Sequence, residues 1–185
     1  MGSNSSSGLG RGRIASPVID IGSFAGSFKL STAHHAALGE WQSERYRSIQ
    51  NYNRTGKTGG RLGLKDLTGK IDSAINANRI PRDIQTFRGI GGEQVLGLKK
   101  GATFSDRGFV ASSLSLETAK LYARSRDDGA ILRVAIPRGT RAAYVQGGET
   151  EVLLGRGTRF RVTGISRGSQ GERVVDVRVL RGRER

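Results

Sequence analysis

A change of periodicity at Pro81 constrains the fold of this chain more than any other feature. Before Pro81, apolar residues recur at roughly helical spacing. They predict one helix from Thr32 to about Asn53, begun by Ser31 or Thr32, and another over Lys65–Asn78. After Pro81 the pattern is mostly extended. Helices followed by strands indicate an α+β domain with a helical lobe on one side of a β core.

The extended part divides at turn residues into short strands around one helix. Glycine and proline punctuate the segments, and alternation of apolar and charged residues in the last two predicts strands with one buried face. The strands are expected at Ile84–Gly89, Gly108–Ser113, Ile131–Ile136, Val152–Leu154, Arg159–Thr163 and Arg173–Leu180, and the helix, which Ser115 begins, at Leu116–Arg124.

The domain organisation expected from the sequence is simple. Residues 1–13 are rich in Gly and Ser and predict a flexible tail or a segment added for expression, without the apolar core of a signal peptide. Residues 14–185 are long enough for one domain with a core of its own. The chain has no cysteine, which excludes disulfides and a cysteine nucleophile, and no apolar run that predicts a membrane span.

The strong positive charge suggests a polyanionic partner but does not identify a function. The formal net charge is +15, and the excess is spread evenly along the chain instead of concentrated in one segment. Spread charge raises affinity for nucleic acid and speeds encounter with acidic surfaces. Nucleic-acid association therefore stays an open expectation.

Three short segments carry side chains suited to chemistry. Arg88-Gly89 ends a strand, where a guanidinium can grip a phosphate or carboxylate with two hydrogen bonds. Ser112 and Ser113 follow Ala111 at the end of the next strand, where hydroxyls can orient a carboxylate or a ribose. Each segment also has a simple structural explanation. Arg88 can be an ordinary solvated arginine. Ser112 and Ser113 can simply complete the end of a strand, next to Ser115, which caps the following helix.

The third segment is a pair of carboxylates, Glu149 and Glu151, after the flexible Gly147-Gly148. Residues two apart lie on the same face of an extended chain. Such a pair is suited to stabilising a developing cation and accepting a proton from a nucleophile. An ordinary exposed surface pair is the alternative.

The order and spacing of these segments resemble the arginine-type mono-ADP-ribosyltransferases, whose signature is Arg, then Ser-Thr-Ser, then Glu-x-Glu. The resemblance covers about residues 38–179 and is closest to the enzymatic components of bacterial binary toxins and to phage-encoded relatives. Its longest pieces are Thr86–Gly89, Gly108–Ser115, Ile131–Thr140 and Glu149–Val162.

The resemblance implies a fold of two packed antiparallel sheets with NAD between them, and a role for each site residue. Arg88 and Gly89 would lie at the NAD phosphates, and Glu151 would be the catalytic carboxylate near the nicotinamide ribose. Glu149 would orient or deprotonate the acceptor arginine of a target protein. Phe109, Ser112, Ser113 and either Arg124 or Arg126 are further NAD-binding candidates, and Tyr144, in a loop, is a candidate for acceptor contact.

One departure from the family pattern concerns the hydroxyl that usually holds the catalytic glutamate. Ala111 stands where the family has the first serine, so either a neighbour such as Ser113 substitutes or Glu151 is held less firmly. Trp41 is expected in the core. His34 and His35 lack a third ligand, so no metal is expected.

The alternatives left open are a nucleic-acid acceptor, simple hydrolysis of NAD and a non-catalytic basic binding module. The family's base-modifying members generally carry Gln where this chain has Glu149, which favours a protein acceptor. The resemblance implies a toxin or phage enzyme acting in the cytoplasm of a target or host cell, and the stretch from Gly147 would belong to a mobile acceptor-recognition loop.

Overall fold

The computed structural model describes residues 19–124, 128–169 and 171–181. Among the described residues, four helices precede the sheet and a fifth lies between strands. Helices followed by strands is the order that the sequence predicts for an α+β domain. The predicted tail, residues 1–13, lies outside the described residues. The helices are α1 (Ile21–Gly26), α2 (Thr32–Gln42), α3 (Tyr46–Thr55), α4 (Leu64–Ala77) and α5 (Leu116–Arg124), with a short 3-10 helix at Gly92–Val95.

The described strands form one eight-stranded sheet. They are β1 (Ile84–Ile90), β2 (Thr103–Ser105), β3 (Val110–Ser113), β4 (Ala130–Ile136), β5 (Ala142–Val145), β6 (Glu151–Leu154), β7 (Arg159–Arg167) and β8 (Arg173–Val179). Their order across the sheet is β2-β7-β8-β4-β1-β3-β6-β5. Neighbours are antiparallel except β4 and β8, which run parallel.

The two separate sheets expected from the sequence are joined at a narrow junction. β1 pairs with β4 along its whole length, from Ile84–Ile136 to Ile90–Ala130, but with β3 only where Phe87 faces Ser113. This single register position links a larger part, β2-β7-β8-β4-β1, to a smaller part, β3-β6-β5. Sequence patterning identifies strands and their buried faces, but it does not show whether two groups of strands share a hydrogen bond.

The first predicted helix is divided into α2 and α3. Ser43 ends α2 in an extended conformation, and its hydroxyl donates to the carbonyl of Glu40 and accepts from the amide of Arg45. These local bonds compete with continuation of the helix. The short elements α1, β2 and β5 were not predicted from the sequence.

Helices α2, α3 and α4 pack against the smaller part of the sheet. Their buried residues Trp41, Ile49 and Ile71 join Phe109 and Leu153 in one apolar cluster. A larger apolar cluster joins residues from both parts of the sheet with Phe24 of α1. The helical lobe therefore rests directly on the two strands that carry the serines and Glu151.

Helix α5 approaches β1 closely because residue 89 is a glycine. A Cβ at Gly89 would lie 2.2 Å from the carbonyl oxygen of Ala119 and 2.5 Å from the amide nitrogen of Ala123. Any side chain would force the helix away from the strand. β1 also continues through Gly89 to Ile90, so Arg88 lies within the strand and not at its end.

Candidate active site

A cavity of about 490 Å³ lies where α2, α3 and α5 meet β1, β3 and the turn before β6. It brings together Arg88, Ser112, Ser113, Glu149 and Glu151, which the sequence places in three separate segments. Its other lining residues are Trp41, Gln42, Ser43, Tyr46, Arg47, Phe87, Gly89, Ala111, Thr118, Ala119 and Tyr122.

Arg88 provides a partly buried positive charge on the wall of this cavity. Its Nη1 donates to the carbonyl oxygen of Ala111 at 2.8 Å, which ties the guanidinium to β3. Burial lowers the pKa of Arg88, although nearby Tyr46, Asp106 and Glu151 act in the opposite direction. An arginine remains charged under such conditions. Arg88 therefore has the position and charge to bind an anion.

Glu151 is a buried carboxylate with one strong donor. It begins β6 opposite Ser113, is 8% exposed, and its Oε1 accepts a 2.6 Å hydrogen bond from Nε1 of Trp41. Burial raises the pKa of Glu151 to about 7, with a further contribution from the charge of Glu149. The Trp41 hydrogen bond and the charge of Arg88 oppose this rise. Glu151 thus titrates near neutral pH, which is typical of catalytic carboxyl groups.

Glu149 lies at the opposite, more exposed side of the cavity. Its Oε1 accepts a 2.6 Å hydrogen bond from the hydroxyl of Tyr122 on α5. This bond, with burial and the negative charges of Glu149 and Glu151, raises the pKa of Tyr122 to about 12, so the phenol stays protonated. The two glutamates therefore have different surroundings within one cavity.

The residue between the glutamates turns the chain, which corrects the expected extended pair. Thr150 has φ of +45°, a left-handed conformation that is strained for a β-branched residue. Glu149 consequently lies in the turn that precedes β6, and only Glu151 belongs to the strand. The strained turn directs the two carboxylates to different partners.

Neither predicted serine bonds to Glu151. The hydroxyl of Ser113 donates to the carbonyl of Glu149 at 2.6 Å and accepts from the amide of Ser115 at 2.9 Å. The hydroxyl of Ser112 accepts from Thr86 at 2.8 Å. Ser113 thus holds the turn, and the expectation that it substitutes for the missing serine is wrong.

Two other predicted site residues lie elsewhere than expected. Phe109 is fully buried and packs against the ring of Trp41, outside the cavity lining, so it supports the site from beneath. Tyr144 is not in a loop: it belongs to β5, is 5% exposed, and packs against Phe24 and Phe28. A side chain buried in that cluster is not placed to contact an acceptor protein.

Only one of the two candidates for a second phosphate-binding arginine lies within the described residues, and that one does not line the cavity. Arg124 is an exposed residue at the end of α5, and Arg126 lies outside the described residues. Gly89 does line the cavity, but its clearest role is the close packing of α5 on β1.

Sequence reasoning did not predict the aromatic and charged residues that the helices contribute to the cavity. Trp41 was assigned to the core, where it does lie, but its indole also reaches Glu151. Tyr46, Arg47 and Tyr122 carried no motif that singled them out. The only signal was helical spacing, which cannot show that a side chain contacts a strand more than a hundred positions away.

Metal binding finds no support in the described ranges. No group of three or more His, Asp or Glu residues there could hold a metal ion. His34 instead closes the start of α2 with Ser31 and contacts the hydroxyl of Ser73. No described helix is long and apolar enough to cross a membrane.

The fold and this cavity together define a class. The sequence model of the ADP-ribosyltransferase exoenzymes matches residues 24–180, so the chain belongs to that family. The resemblance seen in the motifs is confirmed, and NAD is the co-substrate of ADP-ribosyltransferases.

Individual relatives agree with this assignment. The chain is 26% identical over 107 residues to the NAD(+)--arginine ADP-ribosyltransferase EFV of Enterococcus faecalis. That match covers 54% of this chain and 22% of the relative, so the chain corresponds to about a fifth of that protein.

Solved structures confirm the fold. The Vis toxin of Vibrio splendidus, solved with agmatine, has a TM-score of 0.72 at 20% identity, over 87% of this chain and 81% of Vis. C3stau2 of S. aureus, solved with NAD, has a TM-score of 0.72 at 17% identity, over 87% and 92%. Nothing in these comparisons supports the nucleic-acid partner that the charge suggests.

Proposed function

We propose that this chain transfers ADP-ribose from NAD to an arginine side chain of a target protein and releases nicotinamide. One observation carries the proposal: Glu149 and Glu151, in different surroundings, line the same cavity as the partly buried Arg88. The name of the E. faecalis relative and the agmatine bound to Vis support an arginine-like acceptor.

Arg88 is suited to the pyrophosphate of NAD. It borders a second cavity of about 420 Å³, lined also by Arg54, Asp106 and Phe104, as well as the cavity that holds the glutamates. A dinucleotide carries its pyrophosphate between two nucleosides. A cation shared by two cavities therefore fits such a ligand, with a nucleoside on each side.

Glu151 is suited to stabilising the reacting ribose. When the bond between C1′ and the nicotinamide nitrogen breaks, its electron pair leaves with nicotinamide, and positive charge develops on the ribose. An ionised carboxylate held in a water-poor wall stabilises that charge at little reorganisation cost. The indole of Trp41 keeps one oxygen of Glu151 in a fixed position.

Glu149 is suited to activating the acceptor. A guanidinium is protonated at neutral pH and is a poor nucleophile. As one of its nitrogens forms the new bond to C1′, it must lose a proton, and Glu149 at the exposed side of the cavity can accept it. The acceptor would replace the hydroxyl of Tyr122 at this carboxylate.

The test compares nicotinamide release and agmatine modification in the native chain, Glu149→Gln and Glu151→Gln. We expect Glu151→Gln to lose both activities by at least about 100-fold, the scale of losing a stabilising group. Glu149→Gln should lose transfer to agmatine and keep hydrolysis of NAD. Mass spectrometry of agmatine and release of labelled nicotinamide provide the two measurements.

Glu117→Gln is the matched control, because Glu117 is exposed on α5 and pairs only with Lys120 among the described residues. It should retain both activities. A native chain that leaves NAD intact, or a Glu151→Gln variant that stays active, contradicts the proposed function. Modification of oligonucleotides in place of agmatine would contradict the arginine acceptor alone.

We also propose that the chain acts as a toxin or effector in the cytoplasm of a target cell, since its structural neighbours include toxins. A phage enzyme is the other origin that the motifs suggest. Expression in a host cell, followed by mass spectrometry of ADP-ribosylated arginines, identifies the target. A catalytically competent chain that modifies no host protein on expression contradicts this role.

A further inference from the structure

The structure assigns to Trp41 the task that the family pattern gives to a serine: we propose that Trp41 is the positioning residue that holds Glu151 in its reactive orientation. This inference rests on the proposed function, in which Glu151 is the catalytic carboxylate. It adds a specific residue, from the helical lobe, on which the reaction depends.

The indole of Trp41 is held rigidly at the carboxylate. Trp41 is 1% exposed, and its Nε1 lies 2.6 Å from Oε1 of Glu151. Its ring packs edge-on against Tyr46 of α3, with centroids 4.9 Å apart, and against Phe109, with centroids 5.6 Å apart. An indole has a single donor, and here that donor points at Glu151.

The serine hydroxyl that the family pattern places near the catalytic glutamate is absent here, because its position is occupied by Ala111. Ala111 faces Leu153 across β3 and β6, and Glu151 lies two residues before Leu153 on the same face of β6. Diagonal positions on one face of an antiparallel pair lie about 7–8 Å apart, a distance that a long side chain such as that of Glu151 can span. A hydroxyl at position 111 would therefore approach Glu151, and the methyl group of Ala111 cannot donate.

The remaining serines do not fill this role. Ser113 is engaged by the backbone of Glu149 and Ser115, and Ser112 accepts from Thr86. The titratable and charged groups that share the cavity with Glu151 are Tyr46 and Arg47 of α3, Arg88 of β1, Tyr122 of α5 and Glu149. Of these, Tyr122 donates to Glu149 and Arg88 donates to the carbonyl of Ala111.

A donor at Glu151 matters for ionisation as well as orientation. Burial raises the pKa of this carboxyl group, and the Trp41 hydrogen bond works against that rise. A hydrogen bond to the charged form favours that form. Without the indole, a larger fraction of Glu151 would be protonated at neutral pH and unable to stabilise a cationic ribose.

The first test uses Trp41→Phe, which keeps an aromatic ring and removes the donor. We expect kcat for nicotinamide release to fall at least about 10-fold at pH 7, with the acid limb of the pH profile moved about one unit upward. The loss should be smaller at pH 9, and KM for NAD should change little. Thermal unfolding of the variant verifies that the fold is retained.

Ala111→Ser in the Trp41→Phe background provides the rescue. The new hydroxyl should return the acid limb toward that of the native chain and recover at least half of the lost rate. A pH profile of Trp41→Phe that superimposes on the native one, or a loss equal at every pH, overturns the proposal. Failure of Ala111→Ser to rescue overturns the claim that Trp41 replaces the missing serine.

A measurement without catalysis separates this inference from the proposed function. Trp41 is the only tryptophan, so its indole N–H gives one resonance and its fluorescence one signal. Both should titrate with a midpoint near pH 7 in the native chain and stay constant in Glu151→Gln. A signal that does not titrate in the native chain contradicts the contact, whereas a titrating signal in an inactive chain contradicts only the proposed enzyme activity.

Discussion

Thr150 illustrates how one residue shapes the site. Its left-handed backbone lies between the turn after Gly147 and the start of β6. As a result, Glu149 before it accepts a hydrogen bond from Tyr122, and Glu151 after it accepts one from Trp41. Left-handed backbone costs a residue with a Cβ about 1–2 kcal/mol. Strain of this kind persists where the surrounding contacts require it.

We predict that Thr150→Gly keeps or raises stability while it impairs transfer. Glycine removes the strain but gains freedom in the unfolded chain worth about 0.5–1 kcal/mol, so the free energy of unfolding should rise by about 0–1.5 kcal/mol. A looser turn should lower agmatine modification more than NAD hydrolysis. Urea unfolding and the two activity assays measure these effects.

Thr103→Gly, at an ordinary position of β2, is the matched control and should lower the free energy of unfolding by about 0.5–1 kcal/mol. Equal destabilisation by the two glycine variants would show that the Thr150 conformation stores no strain.

At the scale of elements, the position of α5 depends on its contact with β1. The helix carries Tyr122 to Glu149, and it can lie so close only because Gly89 has no side chain. The position of α2 matters in the same way, because it places the indole of Trp41 within hydrogen-bond distance of Glu151, the first residue of β6. The site is therefore built by how two helices dock on strands.

We predict that Gly89→Ala displaces α5. Its Cβ would overlap backbone atoms of Ala119 and Ala123, and overpacking of this kind costs about 1–3 kcal/mol. Gly69→Ala is the contrasting change, because Gly69 lies inside α4 with open space around its Cα, and alanine there should add about 0.5–1 kcal/mol.

Urea unfolding of both variants, with transfer to agmatine as a second measurement, tests the prediction. Gly89→Ala should lose transfer as Tyr122 leaves Glu149. A Gly89→Ala variant as stable and active as Gly69→Ala would show that α5 does not depend on this close approach.

At the scale of the whole molecule, the buried Glu151 lowers stability when its carboxyl group is ionised. Its pKa rises from the usual 4.5 to about 7, so the folded protein binds a proton there over a range in which the unfolded chain does not. Stability then falls as pH rises from about 4.5 to 7, and the full cost of about 3 kcal/mol is present above pH 7.

We predict that Glu151→Gln stabilises the protein in a pH-dependent way. The amide keeps the size of the side chain and an oxygen for Trp41 but does not ionise. The gain in the free energy of unfolding of the variant over the native chain should be about 2–3 kcal/mol larger at pH 8.5 than at pH 4.5. Urea unfolding at both pH values measures it, and a difference that does not vary with pH contradicts a buried, ionising Glu151.

Much of the fold and site could be read from local pattern. The change at Pro81, the alternation in β8 and the helix begun by Ser115 each follow from periodicity or capping, and all three are present. The motif residues Arg88, Ser112, Ser113, Glu149 and Glu151 do meet in one cavity, as their family resemblance implies. Local signals suffice here because each depends on neighbours within a few positions.

The amino-acid order by itself therefore determined the α+β class and the family, and it predicted the two carboxylates and the arginine that the structure brings into one cavity. The docking of elements settled the rest: the junction of the sheet at Phe87 and Ser113, the burial of Tyr144, and the bond from Trp41 to Glu151. These features join residues far apart in the chain, across surfaces formed only on folding. Periodicity and spacing cannot predict which side chains contact each other across these surfaces, because the contacts depend on how the helices and strands pack together.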